Sequence, residues 1–303
     1  MDKIAFVFSG QGDQYPGMGK ELYEKYSTAK NVFDVCNTLR PKTSDQCFCG
    51  SVDELKETKN TQPCLFAMEM AAAHVLVEKG IVPTAVAGFS LGEVTAAAAS
   101  GLFDIKTGFE LVCKRGELMS QAAQKEETFM AAVLKLTKEQ LDEICRNYTQ
   151  VYPVNYNCPG QITVSGILKE KTAFFADVKA AGGRALLLNV QGAFHSPFMN
   201  EAASVFAVEL TKVEINPQKI RLYSNVTAKP YDERVVNLLS EQICNPVQWE
   251  DTIRNMIGDG IDTFVEIGPG KTLTNMIKKI DKNVRAVSYQ KLLEEEAGEV
   301  ESC

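Results

Sequence analysis

The sequence predicts an α/β protein in two parts: a large domain on a mostly parallel sheet, and a small ferredoxin-like domain inserted into it. Three observations lead there. Short apolar runs of strand length alternate with helical stretches along the chain, the pattern of a parallel sheet covered on both faces. Several runs are apolar throughout instead of alternating, as strands buried on both sides must be. Near Glu126 the texture changes, and about 60 residues then read strand, helix, strand, strand, helix, strand, the ferredoxin-like order. The expected division is 1–126 with 190–303 for the large domain and 127–189 for the insert.

Each element has its own reason. Residues 4–8 (IAFVF) are a continuous apolar run that suits a buried parallel strand, ending in the loop Ser9-Gly10-Gln11-Gly12. Residues 18–26 and 62–79 have helical spacing, the second with Gly80 as its stop. Residues 84–89 form a second short apolar strand, 91–100 an alanine-rich helix closed by Gly101, and 105–122 another helix. In the insert, 129–134 is a strand and 138–146 a helix entered from Thr137. Strands at 151–155 and 161–166 join across Pro159-Gly160; a helix over 169–181 breaks at Gly182-Gly183 before a strand at 184–188. Beyond it come a helix (197–210), a strand (221–224), a helix (247–258), a strand (263–267) and the turn Gly268-Pro269-Gly270 into another helix. The acidic stretch 293–303 is expected to fray.

Composition narrows the function. Apolar residues are 45% and charged residues 23% of 303, a globular balance that excludes disordered, collagenous and coiled-coil chains. A net charge of −7 argues against a nucleic-acid surface. No apolar run reaches the roughly 18 residues of a membrane helix, and the first residues are too short an apolar stretch for a signal peptide. Nine scattered cysteines, with Cys47-x-Cys49 the one tight pair, suit free thiols in a reducing cytoplasm and give no metal framework. Neither a metal nor a bound cofactor is expected.

Histidine is the most restrictive count, with only His74 and His195 in the chain. Gly88-Phe89-Ser90-Leu91-Gly92 is G-x-S-x-G between a strand and a helix, where a sharp turn exposes the serine hydroxyl. The helix start supplies unpaired N–H groups, so an oxyanion beside Ser90 would meet the Leu91 N–H. A serine needs a base. His74 sits mid-helix among alanines and reads as a packing residue, whereas His195, in Gly192-Ala193-Phe194-His195-Ser196-Pro197, stands between a strand and a helix, where ligands bind over a parallel sheet. The Gly10-Gln11-Gly12 loop offers either a second oxyanion donor or a plain strand-to-helix turn. Arg115 reads as either a solvated helix arginine or a functional cation, and Glu93 and Glu117 as surface or pairing groups.

Five segments occur together in a set order: Phe8-Ser9-Gly10-Gln11-Gly12-Asp13-Gln14, GFSLGE from Gly88, GAFHSP from Gly192, Asn245-Pro246-Val247-Gln248-Trp249, and EIGPG from Glu266. Over about residues 4–275 the chain resembles the malonyl-CoA:acyl carrier protein transacylases and the acyltransferase domains of polyketide and fatty acid synthases. The resemblance implies an α/β-hydrolase-like large domain and a ping-pong transfer of malonyl from malonyl-CoA to the phosphopantetheine thiol of acyl carrier protein, for fatty acid biosynthesis. It implies Ser90 as nucleophile, His195 as base, and the Gln11 and Leu91 N–H groups as the oxyanion hole. By the same resemblance, the Gln248 carbonyl orients the histidine, Arg115 binds the malonyl carboxylate, and Gln62 and Asn157 line the cleft. Phe194 before the histidine fits malonyl-type members. Two departures stand out: Phe89 occupies a position more often held by histidine, making a drier pocket floor that bears on acyl selectivity, and Asp13 replaces a commoner serine.

The resemblance also implies a monomer, and the free cysteines with no export signal imply a cytoplasmic one. Lys114, Arg184, Lys278 and Lys279 are the candidate cations for an acidic carrier. The alternatives are a trans-acting acyltransferase of polyketide synthesis, an α/β-hydrolase thioesterase, or a non-catalytic carrier-binding subunit. A thioesterase would carry its histidine near the C-terminus and has no task for Arg115.

Overall fold

The structure, a computed structural model, describes residues 3–190 and 192–301. The chain opens with β1 (Ile4–Phe8) and then five helices: α1 (Lys20–Lys25), α2 (Ser27–Leu39), α3 (Thr43–Cys49), α4 (Val52–Lys56) and the long α5 (Thr58–Glu78). β2 (Ala85–Gly88), α6 (Gly92–Ala99) and α7 (Ile105–Ala123) follow. The insert is β3 (Thr128–Leu134), α8 (Lys138–Cys145), β4 (Val151–Cys158), β5 (Gln161–Ile167), α9 (Lys171–Ala180) and β6 (Arg184–Leu187). The chain then returns through α10 (Asn200–Leu210), β7 (Arg221–Tyr223), α11 (Val235–Glu241), α12 (Trp249–Gly258), β8 (Thr263–Ile267), α13 (Thr272–Ile280), β9 (Arg285–Ser288) and α14 (Tyr289–Glu301).

Two sheets organise these elements, as the alternation of runs predicts. The first has five strands in the order β7-β2-β1-β8-β9, every pair parallel. Phe6 and Phe8 face one apolar layer with Val86 and Val265, while Ala5 and Val7 face the other with Ala87, Phe264 and Trp249. Both faces are therefore buried, which is why β1 and β2 are apolar at every position. The strand order reverses between β1 and β8, so a ligand site is expected beside β1, over the carboxyl ends of the strands. The second sheet has the order β4-β5-β3-β6 with every pair antiparallel, the ferredoxin-like arrangement. It packs α8 and α9 around its own core of Phe129, Val133, Leu141, Val164 and Phe174. A reciprocal capping box between Thr137 and Gln140 starts α8.

The sheets meet along one backbone seam. Val247 pairs with Asn155 of β4 and exchanges hydrogen bonds with Val154 and Tyr156, each of 2.9 Å. The N-P-V-Q-W segment thus spans the two sheets.

The structure differs from the sequence reading in several places. α2, α3 and α4 fill a stretch where no element was expected, although Ala29, Val32, Phe33 and Cys36 repeat at helical spacing and are buried. α5 begins at Thr58 and runs through Pro63, which lies inside the helix and does not begin it. α11 and β9 were not anticipated. The acidic stretch expected to fray is helical as far as Glu301, while 302 and 303 lie outside the described residues.

The glycines of the G-x-S-x-G turn are there for space. A Cβ on Gly88 would sit 1.9 Å from the Gly92 carbonyl carbon and oxygen, and one on Gly92 would sit 2.4 Å from the Phe8 oxygen. β2, the start of α6 and the end of β1 touch through backbone alone. Gly88→Ala is expected to lower stability by about 3 kcal/mol or more, because backbone and not a mobile side chain must yield. Urea unfolding of the purified variant checks this; a loss under about 1 kcal/mol would contradict the close approach.

Candidate active site

Ser90 stands at the carboxyl end of β2 with φ of 57°, a left-handed conformation that non-glycine residues seldom adopt. The turn lifts its hydroxyl clear of the sheet and directs it toward His195. Ser90 Oγ lies 2.7 Å from His195 Nε2. His195 is itself at φ 60°, and its N–H donates to the Ile243 carbonyl at 3.1 Å.

The other ring nitrogen settles the tautomer. His195 Nδ1 lies 2.6 Å from the backbone carbonyl of Gln242. A carbonyl can only accept, so Nδ1 carries the proton and Nε2 presents a lone pair to the serine. This corrects the assignment of the orienting carbonyl to Gln248. Gln248 lies six residues further on, where its N–H donates to Asn225 O and its carbonyl accepts from Thr252 as α12 begins. The strand-like pairing of Val247 on β4 carries Gln248 away from the imidazole.

Arg115 is fully buried on α7 and reaches the same point. Its Nη1 donates to Gln62 Oε1 (2.8 Å), and its Nη2 donates to Ser90 Oγ (3.2 Å) and Gln242 Oε1 (3.0 Å). Every partner is neutral, and Nε has none. Among the described residues no carboxylate forms an ion pair with it. Gln62 passes the chain on, donating to Gln11 Oε1 at 3.2 Å, and Gln11 donates to Thr58 Oγ1 at 3.3 Å. The backbone N–H groups of Gln11 and Leu91 meet no hydrogen-bond acceptor among the described residues, which leaves both available to an oxyanion.

Burial and charge set the protonation states. Burial brings His195 down to about 4, helped by the Arg115 charge and opposed by the Gln242 carbonyl. The imidazole is neutral at pH 7, as a base must be. Burial also lowers Arg115 to about 9, which leaves it charged at that pH. Glu93, expected at the surface or in an ion pair, is wholly buried, and burial lifts it to about 8. It accepts from Tyr231 Oη at 2.7 Å and from the Asn225 N–H at 2.9 Å.

The remaining expected residues fall around this centre. Asn157, on β4, lines a cavity of about 240 Å³ together with Gln11, Phe89 and Asn155. Its Nδ2 donates to Thr163, and its buried Oδ1 has no partner. Phe89 stands edge-on to Trp249 with ring centroids 5.5 Å apart. Phe194 is buried in the large apolar core. Lys114 is half-buried on α7, whereas Arg184 on β6 and Lys278 and Lys279 on α13 are exposed. His74 is half-buried on α5, and burial lowers it. Gln242 and Asn225 were not singled out in the sequence. The available signal was weak: a polar residue just past a parallel strand for Asn225, and for Gln242 only its nearness to the N-P-V-Q-W segment.

A serine bonded to a neutral imidazole, over the carboxyl ends of a parallel sheet, can form and break an ester, and a buried cation stands beside it. This chemistry belongs to the serine acyltransferases. The acyl transferase domain family matches residues 5–296. The malonyl CoA-acyl carrier protein transacylase of Bacillus subtilis is 39% identical over 95% of this chain and 93% of its own length. The polyketide biosynthesis protein PksE of the same organism is 39% identical over 94% of this chain and 37% of its own length. Among solved structures, the malonyl CoA-acyl carrier protein transacylase of Clostridium perfringens superposes with a TM-score of 0.94 at 37% identity, covering 99% of this chain and 98% of that one. A malonyl-transacylase solved in complex with a type II PKS acyl-carrier protein reaches 0.89 at 33% identity, covering 95% and 94%. The chain belongs to the malonyl-CoA:acyl carrier protein transacylase family.

Acylation of Ser90 should follow the buried imidazole. His195 accepts a proton only when neutral, so the rate stays level from pH 8 down to 5 and is lost as pH falls through about 4. The second-order acylation rate at low malonyl-CoA, which reports the free enzyme, checks it across this range; a half-loss near 6.5, the free imidazole value, would show an unburied base.

Proposed function

We propose that this chain transfers the malonyl group from malonyl-CoA to the phosphopantetheine thiol of acyl carrier protein, for fatty acid biosynthesis, through a malonyl ester on Ser90. The observation that carries the reading is the buried Arg115 guanidinium, without a carboxylate partner, donating to the same hydroxyl that His195 engages. Malonyl-CoA supplies the missing carboxylate, and a guanidinium holds a carboxylate with two parallel hydrogen bonds.

In this reading the Ser90 hydroxyl attacks the thioester carbonyl while its proton passes to His195 Nε2. The carbonyl oxygen becomes an oxyanion held by the Gln11 and Leu91 N–H groups; one such donor is typically worth about 3 kcal/mol of barrier. The C–S bond breaks, and the CoA sulfur takes the proton from Nε2. The carrier's thiol then enters, gives its proton to Nε2 and takes the malonyl group by the reverse path. Gln62 holds Arg115 and Gln11 in one chain of amides, and Asn157 faces the cleft from the insert. No resident metal or cofactor has a task in these steps.

The organisation follows from the same reading. We take residues 127–189 as a small domain inserted between 1–126 and 190–303; its separate core and its own antiparallel sheet support this. The enzyme is taken to act as a monomer in the cytoplasm. Free thiols at all eight described cysteines suit a reducing compartment. Among the described residues no helix is long and apolar enough to cross a membrane. A polyketide carrier as acceptor is the second reading, favoured by the likeness to PksE and to the transacylase solved with a type II PKS carrier. Parallel assays with carriers of each type separate the two.

Ser90→Ala is expected to abolish the covalent intermediate. Mass spectrometry after mixing with malonyl-CoA reads it directly, and a persisting malonyl adduct would place the nucleophile elsewhere. Arg115→Ala should weaken malonyl-CoA about 100-fold or more in kcat/KM, with a far smaller change for acetyl-CoA, which has no free carboxylate. Equal losses for both thioesters would remove Arg115 from carboxylate recognition.

A further inference from the structure

Ser90 is held in its left-handed turn by something that neither the strand nor the helix supplies. The residue that reaches it comes from the far end of another strand. Asn225, two residues past the end of β7, is wholly buried. Its Oδ1 accepts from the Ser90 N–H at 2.8 Å, and its Nδ2 donates to the Gly88 carbonyl at 2.6 Å. One side-chain amide therefore bridges the peptide groups on either side of Phe89. It does what a partner strand would do, at a point where β2 has ended and α6 has not begun.

Asn225 is in turn fixed on both sides of its own backbone. Its N–H donates to Glu93 Oε1, which also accepts from Tyr231 Oη, and its carbonyl accepts from the Gln248 N–H at 2.8 Å. Glu93 belongs to α6, the helix that Ser90 introduces, so the clamp closes from β7 across the turn into that helix. On the other flank, Gln242 Nε2 donates to the Ser90 carbonyl at 3.1 Å. The peptides before and after Ser90 are thus each gripped by a different side-chain amide.

We infer that Asn225 is a positioning residue for the nucleophile, its amide spanning Gly88 and Ser90 to hold the turn that presents Oγ to His195 and the Leu91 N–H to the oxyanion. It touches neither substrate nor reacting atoms. Its effect runs through two backbone bonds, so it fixes the geometry of acylation and leaves the Arg115 and Gln62 cleft intact. The inference rests on Ser90 being the nucleophile. That reading is tested separately by locating the malonyl adduct on the wild-type protein, so a failure there is told apart from a failure here.

The experiment compares wild type, Asn225→Ala and Asn225→Asp by steady-state kinetics with malonyl-CoA and acyl carrier protein. Rates are normalised to active serines titrated with a fluorophosphonate, so unfolded protein does not count. For Asn225→Ala, kcat is expected to fall about 100-fold with KM for malonyl-CoA within about threefold, as for a reacting group displaced by a fraction of an ångström. Asn225→Asp keeps the acceptor for Ser90 but loses the donor to Gly88, and it keeps the measurement available where the alanine variant does not fold. Its kcat is expected to fall roughly tenfold at unchanged KM. A kcat per titrated site within threefold of wild type, in Asn225→Ala or, where that fails to fold, in Asn225→Asp, would overturn the inference. So would a loss carried by KM alone.

Discussion

The site depends on one charge kept dry without a counter-ion. Arg115 is wholly buried, and its hydrogen bonds go to two neutral amides and a hydroxyl. Burying an unpaired ion is costly, and proteins ordinarily pair such a group or let it neutralise. Here no carboxylate among the described residues pairs with it: Glu93 acts on Arg115 only through its field, makes no ion pair with it, and is itself lifted to about 8 by burial. Such a cost fits the proposed reading, in which the substrate brings a negative charge to Arg115. The low-dielectric surroundings that make an unpaired cation expensive would also strengthen that attraction.

The framework that holds this cation is made of amides. Gln62, Gln242 and Gln11 link Arg115, Ser90 and the loop after β1, and each uses a donor and an acceptor on different partners. An amide suits this task because it satisfies a cation on one side and a carbonyl on the other without adding charge. A carboxylate at Gln62 or Gln242 would pair with the guanidinium and offset its charge. α5 gives the frame its rigidity. It is buried along nearly its whole length and packs on α7, which carries Arg115.

Much of the frame was legible because it rests on local rules. The five segments that mark the family coincide with strand ends and close backbone contacts, where the alternatives to glycine, serine or histidine are few. Gly88 and Gly92 are the clearest case, since any side chain there meets backbone. What was not legible depends on the path of the chain in space. Gln242 and Gln248 are six residues apart, both glutamines, and a backbone carbonyl carries no residue signature. Which one reaches His195 is decided by Val247 pairing with β4 of the insert, a tertiary event. The start of α5 is a related case: helical spacing was read from Gln62, yet the helix begins at Thr58, and its packing offsets the hydrogen bond lost at Pro63. Asn225 had no local signal beyond its place after a strand.

The same cation also governs the base. Arg115 is the second cause, after burial, of the low basicity of His195. A guanidinium within reach of Ser90 Oγ disfavours a second positive charge on the imidazole two hydrogen bonds away. In the proposed reading, a malonyl carboxylate on Arg115 would offset that repulsion and make the imidazole the stronger proton acceptor. A thioester without the carboxylate leaves the repulsion in place. On that reading selection would act on the chemical step as well as on binding: the acid that fits the cation would also be the one that releases the base. Such coupling needs the cation and the imidazole to share one hydroxyl, and Ser90 Oγ is that shared atom.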